Sequence, residues 1–176
     1  MLEYICELII NNLIIIWRGM RILNIIFLDV DNVLNSTTKL IEVYKKTGKP
    51  HSGYRYPFDE RCLNNLRELV INTKAKIVVT SIWRETEEGK VTLLNELKKY
   101  DLDEEVIGYT PVLNSKKRVE EIRSFLEDIE NNCKFVILDD MTDMGEFSTF
   151  LVKTDSKVGL TSENVKEAIK ILNLQN

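Results

Sequence analysis

The sequence predicts an α/β fold: a Rossmann-like parallel sheet with helices on both faces. Three observations predict it. Short apolar runs rich in β-branched residues recur along the chain, as strands buried on both faces require. Stretches with apolar residues at helical spacing separate them, so consecutive strands are joined by right-handed crossovers. Three of the runs end in polar residues of related character: Asp29-Val30-Asp31, Thr80-Ser81 and Asp139-Asp140.

The elements follow in order. Leu8 to Trp17 is strongly apolar but interrupted by Asn11 and Asn12. It is too short to cross a bilayer, which needs about 20 residues. No basic region precedes it and no small-residue cleavage site follows, which argues against a secretory signal. Residues 1–19 therefore read as an apolar extension ahead of a domain over 20–176, with Met20 as an alternative start. Ile22 to Val30 is the first strand. Residues 35–58 are polar and basic, with Gly48, Pro50, Gly53 and Pro57, and read as a helical piece followed by a loop, a small cap inserted directly after the first strand.

Asp59 opens a helix with Leu63, Leu66, Leu69 and Val70 on one face. Lys76 to Thr80 is the second strand, Val91 to Tyr100 a helix, and Val106 to Tyr109 a short third strand. Lys117 to Asn131 is a helix with Val119, Ile122, Phe125, Leu126 and Ile129 inward. Cys133 to Leu138 is a buried strand and Phe150 to Val152 a fifth. Thr161 or Ser162 caps a last helix.

Composition narrows the function. The chain has 176 residues, enough for one sizeable core and too few for two ordinary domains. Its net charge of −4 excludes a protein that binds nucleic acid through overall charge, although a local basic patch is compatible with it. Cys6, Cys62 and Cys133 are odd in number and far apart, which fits reduced thiols in a cytoplasmic protein rather than a disulfide framework or zinc site. With His51 as the single histidine, multi-histidine catalysis is excluded by count. Nothing calls for stable membrane insertion or an obligate protein partner.

The strand-end residues carry the chemistry. In an open parallel sheet the C-terminal strand ends meet at the crevice where connections change direction, and ligands bind there. Asp29, Asp31, Asp139 and Asp140 gathered in that crevice would repel one another without a cation. All are oxygen ligands, which suits Mg2+ together with a substrate phosphate. Asp29 at the strand end is placed to attack phosphorus, and Asp31, beyond the pleat, to protonate the leaving oxygen. Thr80 or Ser81 supplies a hydroxyl donor to the phosphoryl oxygens, and a nearby cation would complete the site.

These motifs resemble the haloacid dehalogenase (HAD) superfamily: an apolar strand ending DxD, one ending Ser/Thr, a later Lys or Arg, and an apolar strand ending in acids. The resemblance covers roughly Met20 to Leu174. The segments FLDVDNVLN, IVVTSIWR, VIGYTP, a basic-EEI helix and FVILDD resemble more closely the small HAD-like phosphatase domains of bacterial RNA-repair (Swiss Army Knife) proteins. The resemblance implies a Mg2+-dependent phosphatase with Asp29 as nucleophile, Asp31 as acid/base, and Asp29, Asp31, Asp139 and Asp140 around the metal. The third motif falls within Lys116, Lys117 and Arg118, of which Lys117 and Arg118 are favoured for phosphate contact, with Arg84 a further candidate. Asn32 stands where such domains often have Gly, and Asn tolerates the left-handed backbone of that turn. Ile82 stands where a second small polar residue is common, which leaves Thr80 and Ser81 as the phosphate hydroxyls.

Each residue also has a plainer role open to it. Arg84 would pair with Glu85 or Glu87 on the surface, Lys116 to Arg118 would be an exposed helix start, and Trp83 reads as core. A phosphoacceptor receiver domain also uses strand-end aspartates, but its acids pair side by side after the first strand and its phosphorylated Asp precedes the Thr. The Asp29-Val30-Asp31 pair here, and Thr80 ahead of Asp139, point away from it. A non-catalytic binding module on the same fold would be expected to lose one of the acids. The substrate is either a phosphate end of RNA, a polynucleotide or a nucleotide, or a phosphorylated small metabolite. Lys39, Lys45, Lys46, Lys49, His51 and Arg55, interleaved with Tyr44, Tyr54 and Tyr56, suit the former, since such surfaces hold phosphates and stack bases.

Overall fold

In the computed structural model, which describes residues 22–50, 54, 56–129 and 133–175, the first apolar run forms β1 (Leu23–Leu28). The chain continues through α1 (Thr37–Thr47), α2 (Glu60–Thr73), β2 (Lys76–Val79), α3 (Glu87–Lys98) and β3 (Val106–Tyr109). It ends with α4 (Arg118–Asp128), β4 (Cys133–Asp139), β5 (Leu151–Lys153) and α5 (Ser162–Leu174). The residues expected to form an extension, 1–19, and Met20 lie outside the described residues.

All five strands are parallel, in the order β3-β2-β1-β4-β5. Side-chain alternation along β1 divides the core between the two faces. Ile26 and Leu28 pack with Leu63, Leu66 and Leu69 of α2, Leu93 and Leu97 of α3, and Val165, Ala168 and Leu172 of α5. Ile25 and Phe27 face the other way, onto Ile122 and Leu126 of α4. Phe27 also meets the Phe125 and Phe135 rings edge-on at 5.7 and 5.6 Å. The chain steps outward from β1 to β2 and β3, then crosses back to β4 on the other side of β1. That reversal opens the crevice at the C-terminal ends of β1 and β4.

Helix starts are fixed by side chains that satisfy the orphan N–H groups. Ser36 caps α1, Asp59 caps α2, Thr86 caps α3, and Thr161 closes a reciprocal box with Asn164 at α5. The basic insertion contains a full helix: α1 ends at Gly48, whose φ of 66° suits a residue without Cβ. No residue of α1 is fully buried, so it lies on the surface beside the C-terminal end of β1. Three short 3-10 turns (Ile82–Glu85, Asp103–Glu105, Gly145–Phe150) were not legible from periodicity. Among the described residues no helix is long and apolar enough to cross a membrane.

Candidate active site

Strand register brings the motifs together. Leu28 pairs with Val79 on one side and Leu138 on the other, so the next residues of the three strands, Asp29, Thr80 and Asp139, come out side by side. Thr80 N–H donates to Leu28 O at 2.8 Å and Asp29 N–H to Leu138 O at 3.0 Å, extending the ladder by one step. The chain then turns away through Asn32, whose φ of 61° is the left-handed conformation expected at this position.

Arg118, the first residue of α4, reaches all three strand ends. Its Nη1 donates to Thr80 Oγ1 at 2.7 Å and Asp139 Oδ2 at 2.9 Å, and lies 3.3 Å from Asp29 Oδ1. Lys117 caps the same helix, but its side chain is 72% exposed and pairs with Glu120 at 3.3 Å, outside this cluster. Of the two cations favoured from sequence, the helix start therefore aims Arg118 inward.

Asp29, Asp139 and Asp140 each place a carboxylate oxygen within 4.8 Å of the others. Asp140 is held by Asn32 Nδ2 at 3.0 Å, and Asp139 Oδ1 accepts from Met141 N–H at 2.9 Å. Burial pushes the Asp29 carboxyl above its usual range, against the pull of Arg118. Burial, then the charge of Asp29, push Asp139 up to about 6 despite the same arginine. Such a set of hard, crowded oxygens, too acidic a cluster for one guanidinium, fits magnesium. Asp31 was also expected around the metal, but its carboxylate is not part of this group. Its Oδ1 accepts from Asn35 Nδ2 at 2.8 Å and its Oδ2 from Trp83 Nε1 at 3.0 Å.

The hydroxyl expectations separate. Thr80 Oγ1 is engaged with Arg118, whereas Ser81 Oγ is buried without a formed hydrogen bond. It faces Asp29 closely enough to favour the charged carboxylate, so a donor is available beside that side chain. Arg84 is a correction to the sequence reading. Its side chain is 3% exposed and pairs with Glu121, not with Glu85 or Glu87 on the surface. It donates to Glu121 Oε2 at 2.6 Å and to the carbonyls of Thr110 (2.9 Å), Ser81 (2.7 Å), Thr80 and Pro111. With its fork committed to these groups, Arg84 ties the ends of β2 and β3 to α4 rather than presenting donors to a phosphate.

Two open cavities flank the cluster. One, of about 270 Å³, is lined on the Arg118 side by Tyr54, Ile82 and Lys116; the other, about 310 Å³, lies on the Asp31 side against Asn35, Leu40 and Tyr56. Sequence reasoning missed Asn35 as part of the site and took Trp83 for core alone. A buried indole N–H nearly always has a partner, and that was the available signal for Trp83.

The parallel sheet, its strand order and the strand-end acids define a HAD-type domain of the hydrolase superfamily. The chain belongs to the family described as the HAD domain in Swiss Army Knife RNA repair proteins, whose pattern matches residues 25–165. No curated protein and no solved structure matches it.

Proposed function

We propose that this protein is a magnesium-dependent phosphohydrolase that works through an aspartyl-phosphate on Asp29. The observation that carries the reading is Arg118 spanning Asp29, Thr80 and Asp139 at three adjacent strand ends. Asp29 carboxylate forms a bond to phosphorus as the bond to the leaving oxygen breaks, and Asp31 gives that oxygen its proton. Asp31, now a carboxylate, takes a proton from water as the water oxygen attacks phosphorus and the bond to Asp29 breaks. Phosphate leaves and both side chains return to their starting forms. Thr80, Ser81 and Arg118 orient the phosphoryl oxygens. Held by Asp29, Asp139 and Asp140, magnesium would neutralise charge on the transferred group.

The substrates we infer are phosphorylated ends of RNA or other polynucleotides, or nucleotides. The family's association with RNA-repair proteins supports this. So does the surface helix α1, which carries Lys39, Lys45 and Lys46 and lends Leu40 to the cavity beside Asp31. The cytoplasm, where such substrates occur, is the proposed location.

The test is hydrolysis of a nitrophenyl phosphate with and without magnesium by the wild type and Asp29→Asn. Magnesium-dependent turnover that is lost in the variant is expected, since an amide cannot attack phosphorus. Full activity in Asp29→Asn, or in excess chelator, contradicts the mechanism. A panel of phosphorylated oligonucleotides, nucleotides and sugar phosphates then tests the substrate, and a preference for sugar phosphates contradicts the polynucleotide reading.

A further inference from the structure

Asp31 is clamped from two sides by residues outside the strand-end motifs. Each of its oxygens accepts one hydrogen bond, from Asn35 at 2.8 Å and from Trp83 at 3.0 Å. The Asn35 amide has one workable orientation. Its Oδ1 accepts from Asn32 N–H at 2.8 Å, so a flipped amide would set donor against donor there and acceptor against carboxylate at Asp31. The Trp83 indole can only donate.

That indole is itself fixed. Trp83 is 2% exposed and meets the rings of Tyr54 and Phe58 edge-on, at 5.1 Å and 69° and at 5.3 Å and 71°. Helix α3 closes in on the same residue because position 89 is glycine. A Cβ there would stand 2.2 Å from Trp83 O and 2.7 Å from the Tyr54 ring.

A half-buried aspartate in a turn has rotamers to choose from, whereas a proton donor must stay within reach of one oxygen. The two bonds occupy two of roughly four lone-pair positions on the carboxylate, which leaves the others for the transferred proton. We propose that Trp83 and Asn35 are positioning residues that hold Asp31 toward the leaving oxygen. Tyr54 and Phe58, which hold the indole, belong to the same device. This inference rests on the phosphohydrolase reading above.

Trp83→Phe keeps a ring in the cage and removes the N–H. We would measure kcat/KM with magnesium for an alkyl phosphate, whose leaving oxygen needs a proton, and for a nitrophenyl phosphate, whose leaving group needs little help. A loss of about tenfold is expected for the alkyl ester, part of the roughly 10²–10⁴ that a positioned acid contributes. The nitrophenyl ester should lose only about two- to threefold. In an Asp31→Asn background, Trp83→Phe should cause no further loss for either ester, because no acid remains to be positioned. Asn35→Ala should show the same leaving-group dependence, which keeps the test decisive if Trp83→Phe does not fold.

Equal losses for the two esters, as a merely structural tryptophan would give, overturn the positioning role. So does an additive loss in the Asp31→Asn background. In those cases the wild type still turns over in an Asp29-dependent manner and the phosphohydrolase reading stands. Absence of wild-type turnover on both esters overturns the reading and the inference together.

Discussion

Replacing Arg84 with methionine should cost stability first and phosphate affinity little. The guanidinium sits 2.6 Å from Glu121, with side-chain exposures of 3% and 6%, so neither charge has water to fall back on. Methionine fills much of the volume but leaves the Glu121 carboxylate buried, with a single long contact from Leu113 N–H at 3.4 Å. It also strips donors from the carbonyls of Thr80, Ser81, Thr110 and Pro111. Breaking a buried ion pair from one side costs about 3–5 kcal/mol, a large share of the roughly 5–15 kcal/mol that holds an ordinary domain together. At about 2–4 °C per kcal/mol for a chain of this size, Tm should fall by roughly 6–20 °C. Thermal and urea unfolding of Arg84→Met, Glu121→Leu and the double variant would read this. The double variant should recover part of the loss, because it no longer buries an unpaired charge. A variant with wild-type Tm but weakened inhibition by inorganic phosphate would refute the reasoning and return Arg84 to the substrate.

Three further outcomes are expected. The Asp139 carboxyl, raised to about 6 by burial and Asp29, is harder to ionise in the fold than in the unfolded chain. Its contribution is therefore full below the unfolded value near 4 and is lost as pH rises through about 6, an effect on the order of 2–3 kcal/mol without metal. Added magnesium should raise Tm more at pH 7.5 than at pH 5, and Asp139→Asn should shrink that difference without abolishing it, because burial also raises the Asp29 carboxyl; melting curves at the two pH values check both. Arg118→Lys keeps a charge but not the fork that reaches Thr80 and Asp139 together, so kcat/KM on an aryl phosphate should fall at least about tenfold. In α1 and just beyond it, Glu42 pairs with Lys39 and Lys46, leaving Lys45 and Lys49 without an ion pair among the described residues. Neutralising Lys45 and Lys49 should raise KM for a phosphorylated oligonucleotide while sparing a small aryl phosphate, and added salt should erase the difference.

The sheet was legible because its inner strands β1, β2 and β4 are short apolar runs whose residues are largely buried on both faces, whereas the order of the strands was not read from the sequence. Asp29, Thr80 and Asp139 share a register because identical strand geometry on either side of β1 leaves them no alternative. What sequence spacing could not resolve was side-chain direction. Lys117 and Arg118 are neighbours, yet Lys117 caps α4 with its amine in solvent while Arg118, one residue on, points to the crevice. Arg84 looked like a phosphate ligand because it follows the hydroxyl strand. A 3-10 turn over Ile82–Glu85 instead folds it back beneath β2 and β3, where carbonyls and Glu121 claim it. Trp83 and Asn35 lie 52 and 4 residues from Asp31, and the longer separation is a tertiary contact that no local pattern announces.

Acid-quenching the enzyme during turnover of a phosphorylated substrate with magnesium, then mapping phosphoryl groups by peptide mass spectrometry, tests most directly whether Asp29 is the nucleophile. A phosphoryl group on the peptide containing Asp29 is expected, accumulating in Asp31→Asn, which lacks the base for the second step, and absent from Asp29→Asn. Turnover without any phosphoryl-enzyme in Asp31→Asn, or a label on a peptide that does not contain Asp29, would contradict covalent catalysis at this residue.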